Sequence, residues 1–221
     1  MKGIKILLAL AVFLMLLGTA SAAVNNATVS VGSESSYNSA VSAGSSSVTA
    51  GGTAEANVTS TQSTSRWAGF YGSINGKIVL ADATSHWFKN WTVSDVSGAY
   101  VYGSTASNPD FSTLAAATAT DMPTWLNTTD AADNFQNTFG ASESATFNGQ
   151  PVTASYTETY NNAGTETFKT YALKDGGSDL IWAALAQNDA TGYNGNTVDY
   201  QLLVPVNGAT STAYYFFLEL P

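Results

Sequence analysis

The chain reads as an all-β protein, an antiparallel β-sandwich or jelly-roll-like domain with one or two short helices in its middle. Three observations predict this. In the C-terminal third, runs that alternate polar and apolar residues are separated by turn residues at intervals of about ten positions. The composition, with 28 threonines, 11 tyrosines and 10 phenylalanines, suits a pleated surface. After residue 22 no apolar stretch approaches the ~20 residues of a membrane-spanning helix.

The first segment is an address. Lys2 and Lys5 precede an unbroken apolar run at 6–17, followed by Gly18 and the small residues Thr19, Ala20, Ser21, Ala22 and Ala23. This is the order of a secretory signal peptide over 1–22, with Ala20-x-Ala22 at the cut. The run is too short for a membrane anchor, and Lys5 argues against a pilin-type assembly helix processed after Gly3. Cleavage leaves 199 residues (221 minus 22) and a charge of −11 in place of −9, because both lysines leave with the signal.

Residues 23–65 form a Ser/Thr/Gly-rich segment with Tyr37 as its one aromatic and no Lys or Arg. Such a stretch buries little apolar area for each residue it orders. It still carries alternating fragments, among them a candidate assembly strand with Val24, Thr28, Val29 and Val31. An antiparallel β domain is expected over 66–221. Its predicted strands are 67–74, 76–82, 87–93 and 99–102, with a hairpin signal at Asn75-Gly76. Short helices are expected in 110–120 and 129–139, the second capped by Thr129 or Asp130. A meander then follows through 152–160, 165–173, 179–187, 197–206 and 211–220, with turns at Asn148-Gly149, 161–164, 174–178, 188–196 and Asn207-Gly208.

Several functions are excluded or unsupported by residue type. With no cysteine, a disulfide framework, a CxxC redox site and a thiolate zinc site are impossible. Seven Lys and Arg against 16 Asp and Glu leave no surface for nucleic acid. The single histidine, His86, lies near a predicted turn, and no serine sits in a GxSxG elbow, so no triad is indicated and the chain reads as a non-enzyme. Glu158 and Glu166 are expected on opposite sheet faces if Tyr160 opposes Thr165, which sets Tyr156 opposite Lys169. No acid pair with glycosidase spacing follows from that register.

Three kinds of binding residue remain. No cofactor is called for; a metal here would have to be calcium, held by the oxygen-rich loop with Asp189, Asn194, Asn196 and Asp199, although Asn, Asp and Gly also serve turn geometry there. Sequons occur at Asn26, Asn57, Asn90 and Asn127. Seventeen asparagines and 53 Ser plus Thr in 221 residues give about four by chance, so they are available sites and no more. Trp67, Tyr71, Trp87, Trp91 and Trp125 are candidate aromatics for a glycan platform, with core packing as the alternative.

The segment Trp67-Ala68-Gly69-Phe70-Tyr71-Gly72, followed by Gly76-x-Ile78-x-Leu80-x-Asp82 and Trp91, resembles a motif of secreted archaeal cell-surface proteins of uncharacterised function. The resemblance implies an extracellular β-rich protein and supplies no catalytic residues. Two functional expectations follow. One is a cell-surface structural subunit that self-associates by β-strand addition, analogous in architecture to archaeal strand-exchange filaments; the other is a module binding glycans or surface proteins.

Overall fold

The computed structural model describes residues 23–27, 29, 47, 49–50, 53–55, 64–79, 87–95, 98–208 and 211–220. The signal peptide, Thr28, Val31, Asn57 and His86 lie outside the described residues, as do Leu80 and Asp82 of the motif. The described residues hold fourteen strands: β1 (Ala23–Asn26), β2 (Trp67–Gly72), β3 (Asn75–Val79), β4 (Trp87–Thr92), β5 (Tyr100–Ser104), β6 (Ala115–Ala116), β7 (Ala141–Phe147), β8 (Gln150–Tyr160), β9 (Glu166–Lys174), β10 (Leu180–Leu185), β11 (Ala190–Thr191), β12 (Thr197–Val198), β13 (Tyr200–Pro205) and β14 (Tyr215–Leu220). The fold is all-β and antiparallel. Among the described residues no helix is long and apolar enough to cross a membrane.

One large sheet runs β1-β14-β5-β10-β9-β8-β7, and β6 pairs with β9 off this path. The expected meander is present from β7 to β10 but breaks at β13, which crosses to pair with β2, before β14 returns to β5. The reason for two layers is visible in the alternation. Val101, Ala172, Trp182, Ala184 and Phe216 point to the β2–β13 layer, while Tyr100, Tyr102, Tyr171, Leu173, Ile181 and Phe217 point away from it into a second core. Both faces of the large sheet are therefore buried over its centre.

The second core exists because the sheet rolls. β8 pairs with β9 only from Ser155 to Tyr160; its first half leaves with β7, and β6 takes the vacated edge of β9 at Leu173 and Lys174. The rolled β7–β8 hairpin lays Phe147 across the sheet, 4.9 Å from the Tyr100 ring and 5.2 Å from Tyr171. Asn148 and Gly149, with φ of 47° and 74°, make its tight turn. The other Asn-Gly signal does not form a turn. Asn75 and Gly76 open β3, and Gly76 is small because the Trp91 indole lies on it, 2.1 Å from where a Cβ would stand.

The middle of the chain is mostly irregular. In place of the first expected helix there are 3₁₀ turns at Phe111–Thr113 and Ala119–Asp121, with the short β6 between them. The second shrinks to a single α-helical turn, α1 (Phe135–Thr138). Its cap is Asn134 rather than Thr129 or Asp130: the Asn134 Oδ1 accepts from the Asn137 amide at 2.7 Å. This segment contributes Met122, Leu126, Phe135 and Phe139 to the first core, where Phe139 and Trp182 lie 5.3 Å apart.

The two layers meet closely at Gly103, where an added Cβ would stand 2.8 Å from Leu202 Cδ2. We expect Gly103→Ala to lower the unfolding free energy by about 1–3 kcal/mol in urea titrations. Gly69→Ala, with nothing within 4 Å of its would-be Cβ, should stay within about 0.5 kcal/mol of wild type.

Candidate functional site

Two features at the rim of the large sheet can act on another molecule. The first is its β1 edge. β1 pairs antiparallel with β14 from Ala23 opposite Leu220 to Asn26 opposite Phe217, and the Ala27 amide extends the pairing to the Phe216 carbonyl at 3.0 Å. Val24 packs on the second core and Ala27 on the first, as the alternation of a strand requires. Val24 lies opposite Glu219, whose carboxylate is 4% exposed. That carboxylate accepts from the Tyr102 hydroxyl and, at 2.9 Å, from the Asn148 amide. Burial, then the neighbouring Glu219, pushes the Tyr102 hydroxyl far above its ordinary range.

The second feature is an open cleft of about 320 Å³ at the far end of the rolled face. Lys169 bridges to Glu143 at 2.8 Å and stands 4.4 Å over the Tyr156 ring, and the Tyr171 hydroxyl also donates to Glu143. These donors hold the Glu143 carboxyl below its usual range, Lys169 first, and the same contact raises Lys169. Tyr100, behind them, is pushed up to about 12 by burial and by Glu219 and Glu143.

Glu158 and Glu166 share this face, which corrects the sequence-based register. Thr159 pairs with Phe168 and Tyr160 with Glu166, so Thr167 is an extra residue in β9. The bulge turns Glu166 onto the Glu158 side, sets Glu158 opposite Lys169 and puts Tyr156 opposite Tyr171. The neighbouring Glu166 raises the Glu158 carboxyl, whereas Glu158 and the Tyr160 hydroxyl, which donates to Glu166 at 2.9 Å, lower Glu166.

The other candidates are dispersed. Trp67 is buried in the first core, 5.8 Å from the Trp182 ring, with its Nε1 donating to the Asp133 carbonyl at 2.7 Å, so it offers no face to a sugar. Trp91 covers Gly76, and Trp125 is half-buried against the first core. The Trp87 side chain lies outside the described residues. Tyr71 is exposed and meets the exposed Tyr193 edge-on at 5.0 Å, a contact that sequence reading missed because the partner comes from the 188–196 loop.

Both carboxylate oxygens of Asp199 face amides, Ile74 at 2.6 Å and Asp189 at 3.1 Å, while Asn194 Oδ1 accepts from the Asn196 amide at 3.0 Å. Asp199 and Asn194, two of the four candidate calcium ligands, are thus engaged in holding the loop. Among the described residues no group of three or more His, Asp or Glu is placed to hold a metal. Asn90 and Asn127 are exposed; the Asn26 side chain is outside the described set.

The acid cluster sets a pH dependence with two signs. Glu143, lowered in the folded chain, contributes stability that is present above its unfolded pKa and lost as pH falls through its folded value. We expect Glu143→Gln to cost about 0.5–1 kcal/mol near neutrality, the gap closing in acid, because the pair is about a third exposed and screened. Glu158, raised, behaves oppositely: Glu158→Gln should match wild type in acid and exceed it once pH rises through the folded value. Thermal melts across pH 3–8 (approximate range) check both signs.

No family model, curated protein or solved structure matches the chain.

Proposed function

We propose that the chain is a secreted cell-surface structural protein, of the kind the archaeal surface motif implies, that assembles by β-strand addition. The observation that carries this reading is the placement of β1. It is a four-residue edge strand held by β14 alone, and residues 28–63 separate it from the body that begins at Thr64. In an assembly the β1 of one copy pairs with β14 of the next, in the seat it takes here within its own chain. The backbone hydrogen bonds and the Val24 contact are the same in either arrangement, so the exchange costs little beyond the entropy of association.

Reach does not limit it. A connection of 36 residues spans at most about 120 Å extended, against a body of roughly 15 Å radius of gyration. Four residues are also too few to hold the strand in place permanently, since edge strands of this length open readily.

The chain has no cysteine, so an engineered pair gives a clean test. Asn25 and Leu218 are Cα partners, and partners across antiparallel strands lie about 4.5–5.5 Å apart, within disulfide range. In Asn25→Cys/Leu218→Cys, strand exchange predicts an oxidised ladder of covalent multimers on a non-reducing gel. A solely monomeric, internally linked product would overturn the reading. Deleting residues 23–35 from the double variant should leave a folded body whose one remaining cysteine links at most two copies, so the ladder is lost.

A binding module for glycans or surface proteins is the second reading, favoured by the exposed Tyr71–Tyr193 pair. It predicts that Tyr193→Ala removes a glycan-induced fluorescence change, which titration on glycan panels measures.

A further inference from the structure

The cleft described above carries charge that its own chain does not balance. Lys169 is engaged with Glu143, and the remaining carboxylates, Glu158 and Glu166, line the same cleft beside Tyr160, which donates to Glu166 and is 51% exposed. Two carboxylates on one cleft wall repel each other unless a proton or a cation comes to them.

The same chain has a cation suited to that place. Arg66, Lys169 and Lys174 are paired with Asp133, Glu143 and Asp121, whereas Lys89 is exposed and has no carboxylate partner among the described residues. It sits on the β3–β4 hairpin, which forms a two-stranded sheet of its own, rooted at the buried Ile74 and Val93. The hairpin carries a bulge where Val79 pairs with Trp87 directly after Ile78 pairs with Lys89, and the bulged residue, Phe88, is 73% exposed. A phenylalanine that exposed beside a lysine, on a strand pair with a sheet of its own, is an apolar and basic patch on an acidic protein.

We propose that the β3–β4 hairpin of a second copy of this chain docks in the cleft, Lys89 seating between Glu158 and Glu166 and Phe88 packing on Tyr160. The two surfaces are complementary in charge and each offers an exposed aromatic ring. Because hairpin and cleft are different patches, the contact either closes reciprocally as a two-fold dimer or repeats head to tail along a row of copies. It takes from the assembly reading only the choice of a second copy as partner, since neither patch includes β1.

The test is sedimentation velocity of the chain beginning at Ala23, with Lys89→Glu, with Glu158→Lys/Glu166→Lys, and with the two variants mixed. Circular dichroism melts check folding, and Glu158→Gln/Glu166→Gln stands in if the double reversal fails to fold. Each variant alone should weaken self-association about tenfold at low salt, and mixing them should restore it, since the reversed charges then match between copies. Wild-type association should also fall as salt rises from about 0.05 to 0.5 M. A wild-type chain monomeric at all concentrations, variants equal to wild type, or no recovery on mixing would each overturn the proposal. The cysteine ladder reports strand pairing without reference to Lys89. A chain linked only internally that still shows the charge-dependent association separates failure of strand exchange from failure of this contact.

Discussion

The buried carboxylate of Glu219 is the constraint on which the rest of the structure depends. A carboxylate withdrawn from water costs several kcal/mol unless hydrogen-bond donors replace its hydration. Here the donors are the Tyr102 hydroxyl on the neighbouring strand β5 and the Asn148 amide at the tip of the β7–β8 hairpin. Because Asn148 belongs to the opposite end of the sheet, satisfying Glu219 requires the sheet to roll. The roll closes the second core over Tyr100, Tyr102 and Tyr171, and it leaves the cleft open at its other end. Val24 of β1 lies opposite Glu219, so the edge proposed for assembly borders the residue that keeps the roll closed.

The seam between the layers is equally specific. Trp67 enters the first core beside Trp182 and Phe139, while Arg66 next to it bridges Asp133 and donates from Nε to the Trp125 carbonyl. Thr170, fully buried in β9, accepts from the Leu203 amide of β13 at 3.0 Å, which ties the two layers by a polar contact where an apolar side chain would leave that amide unpaired. The aromatic motif is therefore structural at its first residue and exposed at Tyr71. With both faces of the large sheet buried over its centre, its edges and the separate β3–β4 sheet are the parts proposed to engage a neighbour.

Charge governs how such copies meet. An acidic chain repels its own copies at long range, so contact between them depends on local complementarity and on salt. Three of its cations are committed to intramolecular bridges that pin 133 to 66, 143 to 169 and 121 to 174. Among the described residues, Glu158 and Glu166 line an open cleft together with the Lys169–Glu143 bridge.

Alternation along β8, β9, β10 and β14 was legible because side chains in a strand repeat every two residues, and turn residues mark the ends. The Ala-Ser-Glu-Ser-Ala-Thr-Phe stretch of β7 was missed: its small and polar side chains give little contrast between faces until Phe147. Asn148-Gly149 and Asn75-Gly76 are the same dipeptide, yet only the first turns, because pairing of the flanking strands and the Trp91 ring over Gly76 decide the second. The Thr167 bulge, which brings Glu158 and Glu166 together, has no sequence mark, since one extra residue flips every later side chain. Composition by itself determined the β class, the net negative charge and the absence of cysteine, and with it of thiolate chemistry. Which tryptophan is core, which carboxylate is buried and which charges meet were decided by the tertiary structure alone, because each depends on a partner distant along the chain.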